Sequence, residues 1–289
     1  MGTSAIFAAA NNATAATDGE ILTILVVLPA LGALLMTLMP RSRPELHRPV
    51  ALLFSVAAGA LCLYLLAVSA TGEGPGFEFV VQHTWIQDLG ISWHLGVDGI
   101  SLFLVVLTGL LFPIAMVAAD PQRDTKPYYA WLLLLQAGCL GVFLALDLFL
   151  FFVFFELVLV PMYFLIGGWG YGKRIYAALK FFLFTMAGSA LMLVGIVALA
   201  FMHRDAVTDI SQQEAQQELQ VIEEGVVTGE VMPSPELEAE VEELVAQAAG
   251  SADLSFDLRE IAESRTVVDD SSSSNPIDWS AARWIFLAF

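Results

Sequence analysis

Positive charge is scarce in this sequence: 289 residues hold only 12 Lys and Arg against 30 Asp and Glu, and charged residues of every kind make up 15%. A soluble domain carries about 25% charged and about 45–50% apolar residues, whereas the apolar share here is 57%. With a net charge of −18, no nucleic-acid partner is expected. Cysteine is nearly missing too. Cys62 and Cys139 lie in long apolar runs and far from any CxxC spacing, which argues against a disulfide framework or an iron–sulfur site and for two buried thiols. The four histidines, His47, His83, His94 and His203, fall in loops or at the ends of apolar runs, so no facing pair of haem ligands is expected. GxGxxG and P-loop patterns are absent from the sequence. No cofactor or metal is expected in this chain, nor any electron transfer or bond cleavage.

What is present divides into two bodies of different character. Residues 203–282 hold 19 of the 30 acidic residues and 3 of the 12 basic ones, a local balance of −16. The remainder is almost neutral and strongly apolar. A helix crossing about 30 Å of hydrocarbon needs roughly 20 apolar residues. Ile21–Met39, Val50–Ala70, Ile100–Ala119 and Tyr128–Leu146 are charge-free runs of that length. Leu148–Trp169 is interrupted only by Glu156, and Ala177–Met202 only by Lys180. Trp284–Phe289 starts a seventh run. The fold class expected is therefore all-α: a polytopic transmembrane helix bundle of about six complete spans plus the start of a seventh.

Orientation follows from the loops. Arg41, Arg43 and Arg48 follow span one, Arg123 and Lys126 follow span three, and Lys173 and Arg174 follow span five. The alternate loops, Thr71–Gly99 and the turn at Asp147, contain no Lys or Arg. The positive-inside rule then puts the basic loops in the cytoplasm. Residues 1–20 become an external N-terminal tail, 21–202 the six-helix membrane domain, and 203–282 an acidic, extracytoplasmic, partly disordered loop before the truncated span at 283–289. Met1–Glu20 lacks the basic n-region of a signal peptide. In the acidic loop, Ser234-Pro235-Glu236 reads as a helix start and Ser271–Ser274 as a flexible linker. So dense a carboxylate surface suits a salt-loving organism.

An ionisable residue inside a span costs about 2.5–3.5 kcal/mol on insertion scales and is usually functional or paired. Glu156 lies near the middle of span five, too deep for a short side chain to reach water. It must be protonated, or face a polar interior and a positive partner. A carboxyl raised by burial and lowered by a nearby Lys can load and release protons near neutral pH; the plainer alternative is a neutral Glu bonding a neighbouring helix. Lys180, close to the end of span six, has the stronger plain alternative, because a Lys there can snorkel to the interface. Pro161, five residues after Glu156, bends the helix and frees a carbonyl. Asp147 is most simply a turn residue. Gly167-Gly168 and Gly188-Ser189 permit close helix approach.

Three blocks carry a family resemblance. FFVFFELVLVPMYFLIGGWG at Phe151–Gly170 resembles span five of chain M of bacterial and archaeal NADH-quinone oxidoreductase (respiratory complex I) and its mitochondrial chain 4 counterpart. LGVDGISLFLVVLTGLLFPIAMVAA at Leu95–Ala119 and RIYAALKFFLFTMAGSALMLVGI at Arg174–Ile196 agree, in the family's order. The family also includes related subunits of sodium/proton antiporters and membrane-bound hydrogenases. The resemblance implies about fourteen helices built as two inverted five-helix repeats, with a hydrated polar axis along the membrane. It implies that Glu156 is the key carboxylate of the first half-channel, working with a Lys on span seven, and that Lys180 occupies a frequently charged position. Redox chemistry would lie in other subunits. The partners implied are the other membrane-arm subunits of complex I, antiporter-like chains among them, in the lipid bilayer of a prokaryotic plasma membrane. Family members continue past Trp284–Phe289 into the second repeat. A truncated product, a fragment, or a split subunit completed by a separate chain with the C-terminal helices would each account for the difference. The competing functions are a gradient-driven sodium/proton antiporter subunit and a non-pumping structural fragment.

Overall fold

The structure, a computed structural model, describes residues 3–69, 78–86, 90–119, 121, 124–228, 241 and 255–257. The helix start at Ser234, the serine run at 271–274 and the apolar run at 284–289 lie outside the described residues. Six helices follow in order: α1 (Thr3–Leu38), α2 (His47–Ser69), α3 (Ser101–Ala118), α4 (Thr125–Leu144), α5 (Leu148–Trp169) and α6 (Arg174–Thr228). Each contains a segment long and apolar enough to cross a membrane. Their ends fall close to the charges and prolines that bound the apolar runs, because hydrocarbon offers no partner to an open backbone N–H or C=O. Pro29, Pro113 and Pro161 sit inside helices that continue past them.

Two helices outrun the apolar segments. The apolar part of α1 is Glu20–Leu38, yet helix extends back to Thr3. The apolar part of α6 is Arg174–Asp205, yet helix continues to Thr228, into the start of the stretch expected to be an acidic loop. Hydropathy marks where the lipid contact ends, not where the helix ends. The continuation is rich in Gln and Glu, both good helix formers. Loop 71–99 also holds more order than its sequence announces: β1 (Glu78–Ile86) and β2 (Ile91–Val97) pair as a two-stranded sheet.

The chain divides into two compact units. The first comprises residues 1–85 and 91–191. In it α4 is the central element and packs against α1, α2, α3 and α5. Two apolar clusters fill this unit. One, with Leu25, Leu65, Val105, Leu144 and Phe154, includes Leu95 and Val97 of β2. The other gathers Ala33, Met36, Ala51, Met116, Tyr129 and Leu133. Helices approach closely where a side chain is missing. Gly141 of α4 lies under the Phe154 ring of α5, where a Cβ would collide, and a Cβ on Gly109 of α3 would sit 2.6 Å from Cys62 Sγ of α2. The second unit comprises residues 86–90 and 192–289. Its described part is largely the rest of α6, where Ile196, Leu199, Ala200 and His203 are buried on one face and Arg204 pairs with Asp205 at 2.8 Å.

The junction of α4, α5 and β2 is held by one carboxylate. Asp147 is fully buried. Its Oδ1 accepts from Phe149 N and Leu150 N, both at 2.9 Å, capping α5, while its Oδ2 accepts from Ser92 N of β2 at 3.0 Å. Leu146 N donates to His94 O at 2.9 Å, and Leu95 bridges Ala145. The turn residue expected at 147 is thus a helix cap and a strand anchor at once. At α3, Asp98 accepts from Ser101 N at 2.6 Å while Ser101 Oγ accepts from Asp98 N at 3.0 Å. The bond from Ser101 N holds the Asp98 carboxyl below its usual range. This interaction is therefore complete at neutral pH and is lost only as pH falls through that lowered value.

Two substitutions test the packing. Asp147→Ala removes the cap and strands the buried Ser92 N–H, and should cost about 2–4 kcal/mol, with Asp147→Asn milder. Gly141→Ala overpacks the Phe154 ring, at about 1–3 kcal/mol, and a second change, Phe154→Leu, should recover part of that loss. Thermal unfolding in a mild detergent reads both; wild-type midpoints in either single variant would refute the contacts described.

Candidate functional site

The candidate residues lie on α5 and on the part of α6 within the first unit. Glu156 is half-buried. About 1.5 Å per residue puts it about 20 Å from the Trp169 end of α5, well inside the hydrocarbon. Its direction follows from its neighbours. Phe154, Val158 and Pro161 share one side, and Phe154 and Val158 touch Gly141 and Gly138 of α4. At about 100° per residue, Glu156 points roughly away from that stripe. It shares a face instead with Tyr163, whose ring meets Phe182 of α6 at 5.5 Å between centroids. Glu156 therefore faces the α6 side of α5 rather than the central helix.

Lys180 lies about 9 Å from the start of α6. Ala178 is buried and approaches Gly167, and Phe182 touches Tyr163, so these two mark the α5-facing side. Lys180 falls on the other side and is exposed, in a shallow groove with Tyr176, Leu179, Leu183 and Phe184. The structure does not bring Glu156 and Lys180 together. They differ by about 10 Å along the helix axes, they face different ways, and no ion pair or hydrogen bond joins them among the described residues.

Reasoning from the sequence passed over a third polar residue. Gln136, in the middle of α4, is fully buried, and neither amide atom has a hydrogen-bond partner among the described residues. The α4–α5 contacts place it within about one helical turn of the level of Glu156. Ser55 of α2 and Thr108 of α3 are also buried, and Thr108 donates to Leu104 O at 2.8 Å. The signal was present: Gln136 is the one amide inside an otherwise apolar run, but it carries no charge. No cluster of three His, Cys, Asp or Glu suited to a metal occurs among the described residues.

The two ends of the bundle differ in charge. At one end His47 Nδ1 meets Thr125 Oγ1 at 2.9 Å, Arg48 donates to Val117 O, and Arg174 donates to Gly168 O at 3.0 Å. Arg41, Arg43 and Lys173 lie in the loops at that end, and Lys126 in the first turn of α4. At the other end are the hairpin, Asp98 and Asp147, with His83 3.2 Å from Glu20.

Against known proteins, residues 145–234 match the family described as NADH:quinone oxidoreductase/Mrp antiporter, TM. Subunit M of NADH-quinone oxidoreductase from Pseudomonas aeruginosa is 42% identical over 200 residues, covering 64% of this chain and 39% of the relative. The Rhodobacter capsulatus subunit M is 43% identical over 188 residues, covering 63% and 36%. Among solved structures, respiratory complex I from Thermus thermophilus with bound NADH matches with a TM-score of 0.56 at 26% identity, covering 64% of this chain and 37% of that one. An archaeal membrane-bound sulfane sulfur reductase matches at a TM-score of 0.53 and 20% identity, covering 68% and 31%, which bears on the fold alone.

The six apolar helices and the fold likeness together define a multi-pass membrane protein with an antiporter-like fold. Within that class the chain resembles the N-terminal portion of subunit M of NADH-quinone oxidoreductase, and spans under two fifths of the length of the curated relatives just described.

The burial of Gln136 yields a prediction. Replacing it with Leu, of similar size, should leave thermal stability within about 1.5 kcal/mol of wild type or raise it, because a buried amide without a protein partner contributes little. A loss of several kcal/mol would mean that the amide is bonded in the folded protein.

Proposed function

We propose that this chain serves the proton-translocating membrane arm of an NADH-quinone oxidoreductase, as a subunit without a redox centre of its own. The observation carrying the reading is the mid-membrane carboxyl of Glu156, in a span resembling that of subunit M and set in an antiporter-like fold. Quinone reduction in other subunits would change the charge along a polar axis, and Glu156 would change its proton occupancy in response. Glu156 suits that task because a carboxyl in a low-dielectric setting is sensitive to any charge placed near it. Lys180 takes the lesser part of a flanking charge near one end of the path, given its exposure and its distance from Glu156. The basic end of the bundle would be cytoplasmic, and the hairpin end and N-terminus extracytoplasmic. The partners would be the other membrane-arm subunits, including antiporter-like chains, in a prokaryotic plasma membrane.

A second reading, a sodium/proton antiporter subunit, is favoured by one observation. The family matched by residues 145–234 takes in Mrp antiporters by its description. The identity to subunit M favours the first.

The test is Glu156→Gln in the assembled complex, with proton uptake followed by a pH-sensitive dye in membrane vesicles during NADH oxidation. Transport should fall by roughly 10- to 100-fold, while assembly, read by co-purification, stays intact. Unchanged pumping in a fully assembled variant would sink the assignment. Transport driven by a sodium gradient, in a complex lacking flavin and iron–sulfur subunits, would instead establish the antiporter reading.

A further inference from the structure

We infer that the groove between α1 and α4 is a binding site for one anionic phospholipid of the leaflet at the basic end. The groove has a volume of about 550 Å³ and lies wholly within the first unit. Ala30 and Ala33 of α1 line it with Trp131 of α4, and Thr37, Arg41 and Lys126 line its other end. The sequence places the chemistry in that order. Small residues leave the space, and an aromatic ring supplies a flat apolar wall of the kind found at membrane interfaces. The two cations stand where α1 has ended at Leu38 and α4 has just begun at Thr125. Neither cation takes part in an ion pair among the described residues.

Length selects the occupant. From Ala30 to Thr37 the groove follows α1 for about 10 Å, at about 1.5 Å per residue, and Arg41 stands just past the helix end. That fits within one leaflet, about half of the 30 Å hydrocarbon thickness. A crossing protein helix would need a seat about 30 Å long and would meet two unpaired cations at its end. A free phosphate would leave the apolar length unused. A phospholipid uses both parts: acyl chain along the alanines, phosphate between Arg41 and Lys126. A basic pocket between helices on the cytoplasmic side is a known way of selecting anionic headgroups. Two such cations give a preference over a zwitterionic lipid on the order of 30-fold.

The experiment places the full chain, with whatever subunits co-purify, in nanodiscs of mixed phosphatidylglycerol and phosphatidylcholine, then releases it for native mass spectrometry of retained lipid. Phosphatidylglycerol should be retained well above its bulk share. Arg41→Gln with Lys126→Gln should abolish the excess. Arg43→Gln with Lys173→Gln removes the same charge from the same end, away from the groove, and should leave it intact. Ala30→Phe fills the groove without touching charge and should also abolish retention. Equal loss in both charge-removing pairs would overturn the proposal in favour of diffuse attraction. Retention unaffected by Ala30→Phe, with inorganic phosphate competing, would overturn it in favour of a simple anion site. A photoreactive residue at Leu34, which lines the groove and is 57% exposed, should form adducts with lipid; adducts with protein alone would show a partner helix there and refute the assignment.

Discussion

The whole architecture depends on one constraint: a peptide group inside hydrocarbon must find its hydrogen bond within the protein. Among the described residues, that requirement turns each uncharged run into a helix and confines the irregular segments to the ends of the bundle. It also explains why the ends hold the specific polar contacts. Asp147, His47 and Arg48 each satisfy backbone or hydroxyl groups at a point where a helix stops. Between the ends the hydrophobic effect no longer distinguishes one helix face from another, since lipid is as apolar as leucine. Contact there is decided by shape. Gly141 beneath Phe154, and Gly59 against Gly109 with Cys62 beside it, are places where the backbones come close.

Asp147 shows how much one end-of-helix interaction can organise. The α4–α5 connection is short, so its two helices must pack as antiparallel neighbours, and their angle depends on how the connection is held. A carboxylate that caps α5 and also holds Ser92 ties that connection to β2. Through Leu95 and Val97 the strand joins the same apolar cluster as Phe154. Trp93 then reaches both Phe154, at 5.7 Å edge to face, and the Thr23 hydroxyl of α1, at 3.2 Å. The hairpin is thereby part of the core at that end, and the position of α5, which carries Glu156, rests on it.

The spans were legible because charge is so expensive in lipid that its absence over about 20 residues is a strong signal. The same signal is silent on how far α1 and α6 extend, since a helix can continue past its apolar run when its residues favour it. The hairpin was harder to see. Glu78–Ile86 has no clean alternation, and β2 is buried on both faces except at Trp93, so no period of two appears. For the candidate site, depth was legible and direction was not. Counting residues puts Glu156 mid-membrane, but only the packing of Phe154 and Val158 on α4 shows that it turns away from the central helix. Gln136 was overlooked because an uncharged amide barely disturbs hydropathy.

The direction of Glu156 bears on how such a carboxyl would work. Its insertion cost of about 2.5–3.5 kcal/mol is comparable to a single charge-assisted hydrogen bond. Under the proposed reading, a charge arriving on the α6 side of α5 would act on that carboxyl directly: one charge at about 4 Å contributes about 4 kcal/mol at intermediate dielectric. The central helix keeps its fully buried amide close to the level of Glu156, on the side turned away from that face. Under the proposed reading, then, α4 and the hairpin hold α5 in place while its opposite face is left to respond. Rigidity and responsiveness are divided between the two sides of one helix.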